Sequence, residues 1–307
     1  MNSDTFPIPD RLNSVLVFLV STAAVTLLWF ASQMTSWLAI LIVGIVFSYA
    51  MLTNYALLHD ATHETLRSTK RANYWCGLIT GIWFPVPFSM IHYTHRSHHR
   101  FNRTDSEMFD LYYPTDNRLL KYIQWYSILC GLFWPLVPLG AVLIALTPSY
   151  LRSKLLSTAD PARGLAYLAT IPRDVVARTR AEMGLIAVIV VALFWLLDLH
   201  LAPVLVCYAC FSFNWSTRQY ITHAFSARDV IDGAFNLRHN RFMDYVLLHG
   251  QWDLNHHRHP DVSWYYLPQL AGASDSRRSY LRQYFRQWGG PIPATTPAPE
   301  PTDDHSE

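Results

Sequence analysis

Seven of the fourteen histidines fall in three short clusters, His59-Asp-Ala-Thr-His63, His95-Arg-Ser-His98-His99 and Asp253-Leu-Asn-His256-His257. Imidazole is the commonest protein metal ligand, and side chains three or four residues apart share one helix face, a turn from each other. His59 with His63 and His95 with His99 stand at i and i+4, and Asp253 precedes His256 and His257 by three and four residues. Seven imidazoles and a carboxylate exceed what one ion can use, so the arithmetic predicts two metals. Donors that are all nitrogen and oxygen, with positions left open, favour iron over zinc, whose structural sites are closed and commonly include cysteine. No cysteine neighbours any cluster. A single HxxxH is ordinarily a polar helix end. Three clusters, each beside a run apolar enough to enter a bilayer, point instead to metal-oxygen chemistry at a membrane surface.

The elements that must position these clusters read as membrane helices. The sequence is 51% hydrophobic and 15% charged, with eleven Trp, seventeen Tyr and sixteen Phe, poor in charge and rich in aromatics for a soluble domain. Leu12 to Gln33 and Trp37 to Leu58 each supply the roughly 20 apolar residues that cross a hydrocarbon core, and neither contains Lys, Arg, Asp or Glu. Without a basic start or a small-residue cleavage site, the first run is expected to stay as an anchor. Cys76, Cys130, Cys207 and Cys210 lie in or beside apolar segments, where a thiol is a small hydrophobe, and imply no disulfide framework. The C-x-x-C pair of Cys207 and Cys210 lacks the second ligand pair that a zinc site needs. A net charge of +2 and the absence of a Gly-rich phosphate loop argue against a nucleic-acid partner.

Beyond the second span, Arg67, Lys70 and Arg71 precede Trp75 to Met90, a run too short and too broken by Pro85 and Pro87 to cross. It is expected to lie in the interface or dip in and out. Ile123 to Leu146 is long enough to cross, but Trp134-Pro-Leu-Val-Pro138 removes two backbone donors near its middle. Met183 to Leu199 and Pro203 to Ile221, joined by a short turn, form a hairpin. A full crossing by Ile123 to Leu146 would strand the third cluster opposite the first two, whereas re-entry keeps all three together. The following loop carries Arg152, Lys154, Arg163, Arg173, Arg178 and Arg180 against Asp160, Asp174 and Glu182, which the positive-inside rule places in the cytoplasm. The expected fold is an all-α membrane protein with four transmembrane helices in two hairpins, interfacial or re-entrant helices, and a cytoplasmic helical cap holding the histidine boxes. Both termini are expected in the cytoplasm, with one domain over residues 1–288 and a Pro-, Thr- and acid-rich disordered tail over 289–307. No internal repeat is visible.

The order HxxxH, HxxHH and a late xxHH after a transmembrane hairpin resembles the membrane fatty acid desaturase and hydroxylase superfamily, over nearly the whole chain from Leu12 to Leu270. The flanks add to the likeness: the first box runs into a basic stretch and Asn73, the second into Glu107 and Asp110. The resemblance implies a non-haem di-iron centre held mainly by histidines, one of them upstream of the third box, where His223 stands at the end of the last expected span. Carried over by position, the implied ligands are His59, His63, His95, His98, His99, His223, His256 and His257. Asp253 departs from the pattern, standing where the family has a histidine. It is either a carboxylate ligand or a group that holds a water or an imidazole. His249, one turn before Asp253, is a candidate to replace the missing imidazole, and His92, one turn before His95, is either a second supporting group or a plain interfacial histidine. His259 reads as structural, and His200, His239 and His305 as ordinary loop residues.

The same resemblance implies O2 as co-substrate and a fatty acid or lipid whose alkyl chain reaches the metals from the bilayer, with Arg218 and Arg228 as candidates for its polar end. Desaturation is the first expectation, then hydroxylation, then decarboxylation to a terminal alkene. No flavin, pyridine-nucleotide or haem-attachment motif is present, so electrons are expected from a ferredoxin-, rubredoxin- or haem-type carrier with its reductase. A histidine-lined metal transporter is the competing reading. It would place ligands within the spans near the bilayer midplane and commonly show internal repeats.

Overall fold

The computed structural model describes residues 5–148, 151, 171–272 and 277–302. Arg152, Lys154, Asp160 and Arg163 of the basic loop, and His305, lie outside the described residues. Helices α1 (Asp10–Gln33) and α2 (Trp37–Thr62) form the first hairpin, α7 (Arg173–Leu196) and α8 (Leu201–Gln219) the second. Between them come α3 (Lys70–Trp83), α4 (Phe88–Phe101), α5 (Arg118–Ser127) and α6 (Phe133–Leu146); α9 (Arg241–Val246), α10 (Asp253–Arg258) and α11 (Tyr280–Gln287) follow. The hairpins meet along α2 and α8, where Phe47, Met51 and Phe211 are fully buried. At Gly44 a Cβ would lie 3.0 Å from Cys210 Sγ and 3.4 Å from Cys207 Cα, so the missing side chain sets how closely the two helices approach.

Among the described residues, four stretches are long and apolar enough to cross a membrane: α1, α2, Arg118–Leu146 and α7. The expected fourth span, α8, is not among them, because its second half carries Ser212, Asn214, Ser216, Thr217 and Arg218. Its buried serines face inward: Ser212 and Ser216 both donate to the Gly131 carbonyl. Within Arg118–Leu146, both ends of α6 are tied to the same end of the second hairpin. The Trp134 N–H donates to Ser216 Oγ near the C-terminal end of α8, and the Ala145 carbonyl accepts from Arg180 in the first turns of α7, so both ends of α6 sit at the same level. The break in this segment lies earlier than Pro135 and Pro138. It falls at Ile128–Leu132, where Gly131 adopts φ 97° against the backbone of Phe213. Pro135 sits in the first turn of α6, where a backbone donor is not needed.

Helices α3 and α4 dip in and return with a bend of 97°. At the deep end, Trp83 donates its indole N–H to Ser21, midway along α1, and its carbonyl accepts from Tyr208, midway along α8. Strand pairing is confined, among the described residues, to two parallel two-residue ladders: β1 (Leu111–Tyr112) with β4 (Ile292–Pro293), and β2 (Leu237–Arg238) with β3 (Arg278–Ser279). Within the tail expected to be disordered from residue 289, Ile292 and Pro293 thus pair with β1, and the Thr302 N–H donates to the Arg100 carbonyl.

Candidate metal centre

Helix α2 carries His59 in its last turn, with His63 as its C-cap; α4 presents His95, His98 and His99; α10 presents His256 and His257; and His223 follows the end of α8. All eight imidazoles converge. His59, His63, His95, His99 and His256 each offer a nitrogen within 4.8 Å of the others, and His98, His223 and His257 form a second group on the same criterion. The stacked rings of His99 and His257, 4.3 Å apart, join the two groups. Asp253 stands beside the second, its Oδ2 3.0 Å from His223 Nε2 and 3.9 Å from His257 Nε2.

The donor set fits metal ions. Successive Nε2 atoms lie 2.8 Å (His63 to His95), 3.2 Å (His95 to His99) and 3.1 Å (His99 to His256) apart. Nitrogens bound at about 2.1 Å to one ion and a right angle apart are separated by about 3 Å. Burial, followed by mutual repulsion within the cluster, holds His63, His95, His99, His256 and His257 well below the ordinary histidine pKa, which leaves their lone pairs free for a metal. At His98 burial acts in the same direction, but the hydrogen bond and charge of Glu107, 3.3 Å from Nδ1, outweigh it and raise the pKa. Burial would raise Asp253, yet the adjacent His223 dominates and holds its carboxyl below the usual carboxylate range. The His223 Nδ1–H donates to the Gly233 carbonyl at 3.0 Å, which fixes the tautomer that presents Nε2 to the second group.

Four contacts outside the clusters set this geometry. Glu182 of α7 accepts from the Ser89 N–H (2.8 Å), the Ser89 hydroxyl (2.6 Å) and the Tyr74 hydroxyl (2.8 Å), so a buried carboxylate holds the first turn of α4. Arg103, just past α4, is wholly buried and donates to Asp110 and to the Tyr220 hydroxyl, while Asp110 also accepts from the Phe225 N–H. This ties the second box to the His223 loop. Asp60, inside the first box, accepts from the Ser263 hydroxyl and the Trp264 N–H. Asn236 donates to Asn255, inside the third. Sequence reasoning noted Glu107 and Asp110 as flanks but missed Glu182, which reads in the chain as one more charge before an apolar run.

A cavity of about 450 Å³ opens beside the centre. Its lining includes Leu136, Val137, Gly140, Ala141 and Ile144 on a single face of α6, the histidine-cluster residues His59, His95, His98, His223, Asp253, His256 and His257, and the polar Arg218, Gln219, Gln251 and Tyr280. Three sequence candidates stand elsewhere. His249, at φ 57°, turns its ring towards Trp264 and Tyr245 and lies outside both groups, so it does not supply the missing imidazole. His92 lies against Phe88, also outside the groups. Arg228 does not line the cavity: its guanidinium is held by Asp105 at 2.7 Å and Tyr113 at 2.6 Å.

A search of curated proteins finds no match to the chain. The sequence model of the fatty acid desaturase family does match, over residues 34–288, a stretch that takes in every histidine of the two groups. With the box order, the buried clusters and this match in agreement over most of its length, the chain belongs to the fatty acid desaturase family.

Proposed function

We propose that the protein is a membrane-bound, O2-dependent di-iron oxidoreductase acting on the alkyl chain of a fatty acid or lipid, with desaturation as its reaction. The observation that carries this reading is a cavity lined both by an apolar face of α6 and by two adjacent histidine groups, in a membrane protein of this family. His59, His63, His95, His99 and His256 would hold one iron; His98, His223 and His257, with Asp253, the other. Two irons, once reduced and with O2, supply the oxidising power to take hydrogen from an unactivated carbon. The chain's own residues do the rest. The α6 face and Trp215 keep the alkyl chain dry and aligned, while Glu107 and the Gly233 carbonyl orient His98 and His223. Hydroxylation and decarboxylation need the same ligands and differ in how the chain lies. Electrons come from a ferredoxin-, rubredoxin- or haem-type carrier docking on the cap, taken to face the cytoplasm. The transporter reading loses ground because the histidines gather at helix ends and in the cap instead of midway along the spans.

The test is elemental analysis and Mössbauer spectroscopy of full-length, detergent-purified iron-57 protein, followed by product analysis with a reducing carrier. About two coupled irons per chain and a desaturated product are expected on this ligand arithmetic. One zinc per chain, or no iron after anaerobic reconstitution, would overturn the reading.

A further inference from the structure

The cavity holds a charge that the metal centre does not use. Arg218, in the last turn of α8, is the one Arg or Lys among the described lining residues. Its guanidinium is charged at any working pH. Nε donates to Asn214 Oδ1 at 2.8 Å and Nη1 to the Tyr280 hydroxyl at 3.0 Å, both neutral partners. The rings of Tyr280 and Tyr284 lie 5.6 and 5.7 Å from it. Among the described residues no carboxylate forms an ion pair with it. Arg103 and Arg228 contrast with this, being paired with Asp110 at 2.6 Å and Asp105 at 2.7 Å. The lining carboxylates Asp253 and Glu107 are engaged by His223 and His98, and Asp60 by Ser263 and Trp264. A half-buried cation without a counter-ion is costly to keep, and the cost falls when a ligand brings the anion.

We infer that Arg218 receives the carboxylate of an unesterified fatty acid, whose chain occupies the same cavity beside the histidines and the apolar face of α6. This rests on the alkyl-oxidation reading and goes past it by naming the head group. The planar guanidinium fork matches a carboxylate bidentately. A phosphate-bearing carrier would gain from further cations, and the lining offers none besides this one and the histidines. The bond attacked is therefore counted from the carboxyl end, and a free acid, not a carrier thioester, is the substrate.

The experiment measures equilibrium binding of radiolabelled palmitate, methyl palmitate and palmitoyl-coenzyme A to iron-loaded, full-length protein under nitrogen, where no turnover occurs. Wild type is expected to hold palmitate about ten- to a hundred-fold more tightly than methyl palmitate, the range of a charge-assisted hydrogen bond. Arg218→Gln is expected to abolish that preference while leaving methyl palmitate affinity as it was, which also reports that the variant is folded. Tyr280→Phe, which removes one orienting hydroxyl, is expected to lose only a few-fold. Equal wild-type affinity for acid and ester, or a preference that survives Arg218→Gln, overturns the inference. So does tightest binding of palmitoyl-coenzyme A that Arg218→Gln removes, which would assign the arginine to a phosphate-bearing carrier. If none of the three ligands binds, the alkyl-cavity reading itself fails, and the inference with it.

Discussion

Replacing Glu182 with alanine is expected to destabilise the protein by about 3–5 kcal/mol. Its carboxylate accepts three hydrogen bonds, two from Ser89 at the start of α4 and one from Tyr74 on α3, and it is 3% exposed. Hydrogen bonds to a charged group are each worth roughly 1.5–3 kcal/mol, but the cost of burying the carboxylate offsets part of their sum. The alanine variant leaves three donors unanswered, the two from Ser89 in a buried site. E182Q keeps an oxygen for the Ser89 N–H and offers an amide to the hydroxyls, so about 1–2 kcal/mol is expected there. Thermal melts in detergent read the difference. At about 2 °C per kcal/mol for a chain of this size, E182A should fall by about 6–10 °C and E182Q by about 2–4 °C. Because α4 carries His95, His98 and His99, E182A should also retain less iron than E182Q at equal protein. A shift under about 1 °C for E182A, or equal shifts for the two variants, would refute the reasoning.

Two further outcomes follow from the centre. E107Q removes the charge opposite His98 Nδ1 and should weaken metal retention at the second group by about 10- to 100-fold in a chelator competition, with the first group unchanged; uniform loss from both would count against two separable sites. In metal-free protein, burial keeps His63, His95, His99, His256 and His257 neutral, whereas the unfolded chain takes up protons as pH falls through about 6.5. The unfolded state then binds more protons, so stability present above that pH is lost below it, by up to about 1.4 kcal/mol per pH unit for each histidine. Melting midpoints of chelator-treated protein that stay flat from pH 8 to 5 would contradict this.

The histidine boxes were legible in the sequence because helical periodicity alone puts i and i+4 on one face, and a shared site was compatible with the parity of the apolar runs only if residues 123–146 re-entered. That reasoning expected the bend of this segment at its prolines. It misplaced the break, because Pro135 and Pro138 are visible punctuation, whereas the turn at Gly131 exists only where the chain must clear Phe213. Arg228 and Arg218 look alike in the sequence. Only folding reveals that Asp105 neutralises the first and that the second borders the cavity. Glu182 was illegible for the same reason, since its partners Tyr74 and Ser89 are some hundred residues away.

The two histidine groups draw unequally on the chain. Four of the five nitrogens of the first come from His59, His63, His95 and His99, whereas the second takes only His98 from that half and waits for His223 and His257. A nascent chain at the ribosome therefore carries most of one site early. At 5–20 residues per second, the other cannot close until roughly 8–30 s after His99 is made. Metal loading thus has an order written into the gene's direction. A chain arrested after the α3 and α4 dip would leave a four-imidazole cluster uncovered, open to whichever metal is most abundant, until the second hairpin and cap arrive to cover it.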